Sequence, residues 1–146
     1  MYKNSYILFF SVMSTRNYNT LGIMTGTSLD GLDLAIIKSD GKENITFLKG
    51  ENYNFDKLVK TSIKNILGCK KNDSIIDLVE ENYTKFIIKN IKLFLKKNKK
   101  LKVNLIGFHG QTITHQPKKN ISWQIGNAKK IFECFKIPVV YNFRNN

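Results

Sequence analysis

The hydropathy of this chain changes period twice, and the order of those changes limits the folds open to it. From Leu21 to Tyr53 the apolar residues come in short runs, Leu21–Ile23, Leu32–Ile37 and Ile45–Tyr53. Between them lie Thr25-Gly26-Thr27-Ser28, Asp30-Gly31 and Ser39-Asp40-Gly41, which are turn compositions. Three consecutive strands joined this way predict an antiparallel meander. Asp30-Gly31 in particular reads as a tight hairpin turn, because glycine tolerates the positive φ such turns demand. From Asp56 the spacing becomes helical. Leu58, Val59, Ser62, Ile63 and Ile66 share a face, Asp56 is a cap and Gly68 a C-terminal stop. Ser74-Ile75-Ile76-Asp77 resembles a capping box opening a longer helix through Ile76, Val79, Tyr83, Phe86, Ile87, Asn90, Ile91 and Phe94. It closes in the lysines around 96–100, where cations complement the helix dipole. Strand-like runs then return at Val103–Phe108, Ile121–Ile125 and Pro138–Tyr141, with a short helix at Ala128–Phe135. This order predicts an α/β fold, a mixed five-stranded sheet with helices packed against it.

Length and composition agree. The 146 residues and 42% apolar content suit one domain with a modest core. Two cysteines, Cys69 and Cys134, exclude a disulfide scaffold and a multi-cysteine zinc module, and fit a reducing cytoplasm. No apolar run reaches the roughly 18–20 residues of a membrane span. The net charge of +13 invites a basic nucleic-acid binder as a rival reading. Against it, only Arg16 and Arg144 are arginines, and readers of phosphates and bases favour Arg over Lys. Lys, Asn and Ile dominate the chain and share A/T-rich codons, so the lysines read as a solvated surface.

Residues 1–19 depart from the pattern. Tyr6–Met13 is a short apolar run after Lys3, with no small-x-small cleavage site behind it. The stretch reads as a non-conforming extension, with Met13 an alternative start.

Three constellations carry chemistry. Gly26, Thr27, Ser28, Leu29, Asp30, Gly31, Leu32 and Asp33 form a Gly- and hydroxyl-rich connection between two strands. Such a loop brings backbone N–H groups and hydroxyls to phosphate oxygens, and Asp30 and Asp33 suit a Mg²⁺ shell through water. It is not a Walker A loop, and an ordinary Asp-Gly hairpin explains it equally well. His109-Gly110-Gln111-Thr112, with Gln124-Ile125-Gly126-Asn127, supplies donors and acceptors suited to sugar hydroxyls. His109 and His115 lack the Cys or acidic partners of a metal site, and Trp123 reads as core rather than as a sugar platform. Arg144, at a strand exit, is either a bidentate clamp for an anion or a plain surface residue.

Together these residues resemble the anhydro-N-acetylmuramic acid kinases. Gly22-Ile23-Met24-Thr25-Gly26-Thr27-Ser28-Leu29-Asp30-Gly31-Leu32-Asp33 is similar to that family's opening motif. Gly107-Phe108-His109-Gly110-Gln111-Thr112, Gln124-Ile125-Gly126-Asn127, Ile137-Pro138-Val139-Val140 and Phe143-Arg144 follow in the family's order. The resemblance implies an actin-like, ribonuclease-H-like ATPase lobe over residues 20–146, with ATP and Mg²⁺ as cofactors. The implied reaction opens the 1,6-anhydro ring of a small sugar with water and phosphorylates O6, in cell-wall recycling. ATP contacts carry over to Gly26 through Asp33, and sugar contacts to His109, Gln111, Thr112 and Arg144. The implied partners are the sugar and ATP, with no nucleic acid and no membrane, and either a separately encoded second lobe or a homo-oligomer.

Some positions depart from the family. Thr25 stands where Ser is usual, and Asn142 and Asn146 replace acids, which keeps the shape but loses the charge. No catalytic residue is assigned within these residues, because the family's general base belongs to a later segment. The chain alone is therefore expected not to turn over substrate.

Overall fold

The fold follows from strands that bury one face each, as the computed structural model of residues 17–69, 74–119 and 121–143 shows. The 1–16 stretch, including Tyr6–Met13, and both Arg144 and Asn146 lie outside the described residues. The first strand, β1 (Tyr18–Thr25), begins inside the stretch read as an extension. It pairs antiparallel with β2 (Gly31–Ser39), and β2 with β3 (Ile45–Asn54), giving the expected meander. Alternation sets the faces: Leu21, Ile23, Leu32, Leu34 and Ile36 are buried, while Met24 and Asp33 lie on the other side and are exposed.

Helix α1 (Lys57–Asn65) starts where Asp56 accepts the Val59 N–H at 2.8 Å, as the sequence predicts. Gly68, at φ +79°, follows the Ile66 cap. Helix α2 (Ser74–Lys97) takes Ser74 as its first helical residue rather than as the cap that the sequence predicts. Ile76, Val79, Tyr83, Ile87, Ile91 and Phe94 form its buried stripe, one core with the inner face of the sheet.

Strand β4 (Leu105–Phe108) then inserts beside β1 in parallel, and β7 (Val139–Tyr141) adds parallel to β4. The resulting sheet is mixed and five-stranded, in the order β3-β2-β1-β4-β7. Between β4 and β7 the prediction needs correcting. Gln111–Gln116, read only as donors after a strand end, is itself a strand, β5. It pairs antiparallel with β6 (Ile121–Ile125) in a separate two-stranded ribbon. The segment 121–125 therefore does not join the main sheet. Helix α3 (Ala128–Phe135) packs on β7 and α2, and begins where Asn127 accepts the Lys130 N–H at 2.9 Å.

Candidate functional site

Because β1 and β4 run parallel, their C-terminal ends meet at one edge of the sheet, where open α/β sheets bind ligands. From β1 the chain enters the Gly26–Asp30 connection. It is a turn closed by Leu29 N–H donating to Gly26 O at 3.2 Å. The positive φ falls on Leu29 (φ 56°), not on Gly31 as the Asp-Gly reading requires. Gly31 is the first residue of β2, and its constraint is close approach. A Cβ there would stand 2.8 Å from Tyr53 O and 3.0 Å from the Asn52 amide. Thr27, Ser28 and Asp30 are exposed at the turn. Asp33 is exposed one strand pair along and accepts a hydrogen bond from Asn52 at 3.0 Å. Leu29 and Leu32 are buried (1% and 0% exposed), so their side chains anchor the turn in the core and only their backbone can meet a ligand.

Beneath the turn lies a buried polar knot. Thr25 shares a hydrogen bond with the Tyr83 hydroxyl at 2.9 Å and reaches Gly110 O at 3.4 Å. Tyr83 is fully buried, and burial pushes its phenol well above the ordinary tyrosine range. Gln111 Nε2 donates to Gly26 O at 3.4 Å and to Thr112 O at 3.3 Å. Gln111 Oε1 is buried with no hydrogen-bond partner among the described residues. Gln111 and Thr112, which the resemblance assigns to the sugar side, are buried at 0% and 5% exposure, and Gln111 ties the β4–β5 corner to the turn after β1.

On the other side of that corner is a cleft of about 410 Å³. His109 lines it from the end of β4, Trp123 and Gln124 from β6, Glu80 from α2, and Tyr141 and Asn142 from the end of β7. His109 Nδ1 sits 2.8 Å from Gly110 O. A carbonyl only accepts, so Nδ1 is the donor in this bond. Gly126 joins β6 to α2: its N–H donates to Glu80 Oε1 at 2.8 Å, and the next N–H, of Asn127, donates to Thr84 Oγ1 at 3.0 Å. At φ 126°, a Cβ on Gly126 would meet Phe108 Cζ at 2.5 Å and Tyr83 at 3.0 Å. The Gln124-Ile125-Gly126-Asn127 segment is therefore a docking joint as well as a cleft wall.

A family model for anhydro-N-acetylmuramic acid kinase matches residues 18–146. The chain belongs to the anhydro-N-acetylmuramic acid kinase family. Proteins named anhydro-N-acetylmuramic acid kinase from Pelagibacter ubique, Zymomonas mobilis and Gluconobacter oxydans are 37%, 34% and 34% identical to it. The alignments cover 88%, 86% and 86% of this chain. It spans only 36–38% of the length of those relatives.

Within the anhydro-N-acetylmuramic acid kinase frame, the structure brings the Gly26–Asp33 connection and His109 to one edge. It leaves His115 exposed on β5, where it is not among the residues lining the cleft. Among the described residues no group of three or more His, Cys, Asp or Glu is arranged to hold a metal ion. No helix among them is long and apolar enough to cross a membrane. Trp123 is half-buried and lines the cleft while also packing on the core, which corrects the core-only expectation. Glu80 and Tyr141 were not singled out by sequence. Glu80 stands beside Glu81 in the sequence of α2, and only the fold shows that it faces β6.

Proposed function

We propose that this chain forms the part of an anhydro-N-acetylmuramic acid kinase that holds the ATP phosphates on one side and the anhydro sugar on the other. The observation that carries this reading is the Gln111 bond to Gly26 O, which joins two segments 85 residues apart at the edge where β1 and β4 both end. In this reading Thr27, Ser28 and the turn backbone from Gly26 to Leu32 contact the phosphates. His109, Trp123 and Gln124 line the sugar side, with Arg144 as its anion clamp.

The residues present fit a magnesium–nucleotide group in their donor set. Thr27 and Ser28 are exposed in the same turn as Asp30, and Asp33 is exposed on β2; these carboxylates suit a hydrated ion held through water rather than a direct protein cage. Mg²⁺, when bound, would neutralise charge on the phosphates. The chain's own groups orient the nucleotide and exclude the competing geometry: Leu29 and Leu32 fix the turn, and Thr25 fixes its base.

We assign the lobe to the actin-like, ribonuclease-H-like class, supported by the antiparallel β1–β2–β3 meander extended by parallel β4 and β7. The general base and the adenosine-binding groups belong to a second lobe, and a cytoplasmic setting suits both ATP chemistry and free cysteines. Isothermal calorimetry with ATP–Mg²⁺ tests the phosphate half. Binding should weaken about tenfold or more in Asp30→Ala or Asp33→Ala. Binding unaffected by both substitutions would refute the assignment. Mass spectrometry for the 6-phosphate tests turnover, and none is expected from the 146-residue chain alone.

A further inference from the structure

Glu80 is the one carboxylate among the described residues lining the cleft, and its setting is unusual for an α2 side chain. Its neighbour Glu81 is taken up by surface lysines, Lys85 at 3.0 Å and Lys130 at 3.8 Å. Glu80 instead meets no cation among the described residues within salt-bridge distance. Its Oε1 accepts the Gly126 N–H at 2.8 Å, which clamps the carboxylate against the end of β6. A carboxylate has about four lone-pair directions, so one such bond leaves most of its accepting capacity unused. Around it stand the aromatic side chains of Trp123 and Tyr141 and the amides of Gln124 and Asn142. Pinned carboxylate, aromatic faces and side-chain amides together make a surface for a neutral, polyhydroxylated ring with an amide substituent.

The geometry points to Glu80 as a specificity-determining residue of the sugar cleft, its carboxylate accepting from a ring hydroxyl or the acetamido N–H of the ligand. This rests on the sugar reading of the cleft given above. It adds an orientation. A muramic sugar carries its own lactyl carboxylate, ionised at neutral pH, and two carboxylates in contact repel. The ligand therefore binds with its lactyl group directed away from Glu80, and the contact at Glu80 is made by groups that 1,6-anhydro-N-acetylglucosamine, lacking the lactyl group, also possesses.

The test uses the full chain and its single tryptophan, Trp123, whose place in the cleft wall makes its fluorescence a report of occupancy. Wild type, Glu80→Gln and Glu80→Asp are titrated with 1,6-anhydro-N-acetylmuramic acid and with 1,6-anhydro-N-acetylglucosamine. Gln keeps an acceptor for the Gly126 N–H, so the fold is retained and the thermal midpoint stays within about 2 °C of wild type. Replacing a charged acceptor by a neutral one should weaken both ligands by about tenfold or more, and by the same factor. Glu80→Asp, which retains charge but draws it back by one methylene, should also lose affinity. An affinity for both sugars unchanged in Glu80→Gln would overturn the role of Glu80 while leaving the cleft a sugar site. A Glu80→Gln variant that binds the lactyl-bearing sugar more tightly than wild type would overturn the orientation. If wild type gives no response to either sugar, the sugar reading of the cleft falls, and this inference with it.

Discussion

Removing the hydroxyl from either partner of the Thr25–Tyr83 bond should cost different amounts, because the two partners have different alternatives. In Tyr83→Phe, Thr25 keeps a longer bond to Gly110 O at 3.4 Å, so about 1 kcal/mol is lost, the net value of one hydrogen bond. In Thr25→Val the Tyr83 hydroxyl stays fully buried with no alternative partner among the described residues, and an unpaired buried group costs about 1–3 kcal/mol. The double variant removes both polar groups from one buried spot, so its cost should fall short of the sum by about 1 kcal/mol. Thr25→Ser is the control: it retains the hydroxyl, and in its background Tyr83→Phe should cost what it costs in wild type. Urea unfolding reads the values directly, provided the slope with denaturant is constant across the set. In thermal unfolding each kcal/mol appears as about 2–4 °C for a chain of this size. A double variant whose cost equals the sum within about 0.3 kcal/mol would refute the coupling. The knot would then be a coincidence of packing rather than the support of the phosphate turn.

The same tyrosine sets an alkaline limit. Burial raises its folded pKa above the usual value near 10, so its stabilising share is complete below about pH 10 and is lost as pH climbs toward the raised folded value. The stability gap between wild type and Tyr83→Phe, measured by denaturant at pH 8 and pH 11, should narrow at the higher pH; a constant gap would contradict it. Gly126→Ala combines a φ of 126° with a Cβ 2.5 Å from Phe108, and should destabilise by roughly 3 kcal/mol or more, seen as a large fall in thermal midpoint. Asp56→Ala removes the bond to the Val59 N–H and should cost about 1 kcal/mol by the same assay, with Asp56→Asn recovering most of it.

What the sequence made legible was whatever a local pattern decides. The meander, α1 with its Asp56 cap, and α3 follow from period and capping chemistry, and the structure places them within a few residues of expectation. Strand β5 was not legible because it lacks alternation. Gln111, Thr112 and Ile113 are buried in succession, and the pairing with β6 skips a residue between Thr112 and Thr114. A bulge of that kind destroys the period of two that marks a strand, leaving only the β-branched run Thr112-Ile113-Thr114 as a cue. The site was half legible. Glycines and hydroxyls marked the turn after β1, but which residue takes the positive φ depends on how Gly31 meets Tyr53 across the sheet. That Gln111 turns inward, and that Glu80 from α2 reaches the end of β6, are tertiary facts with no local signature.

The central position of β1 has a consequence in time. One edge of β1 is satisfied by β2, which follows within a few residues. The other is satisfied by β4: Thr20 pairs with Leu105, and beside it Asn19 bonds Asn104, 85 residues further along. At ribosomal rates of about 5–20 residues per second, the nascent chain carries that second edge unpaired for about 4–17 s. Throughout that interval the meander can recruit a strand from another nascent chain. The helices α1 and α2 are made in the same interval and cover the apolar face of the meander, while its β1 edge stays open until β4 arrives. Slower synthesis across residues 57–104 therefore lengthens the hazardous interval. Crowding of ribosomes on one message raises the concentration of the competing edge, so yield of the folded chain should be more sensitive to translation load than to its final stability.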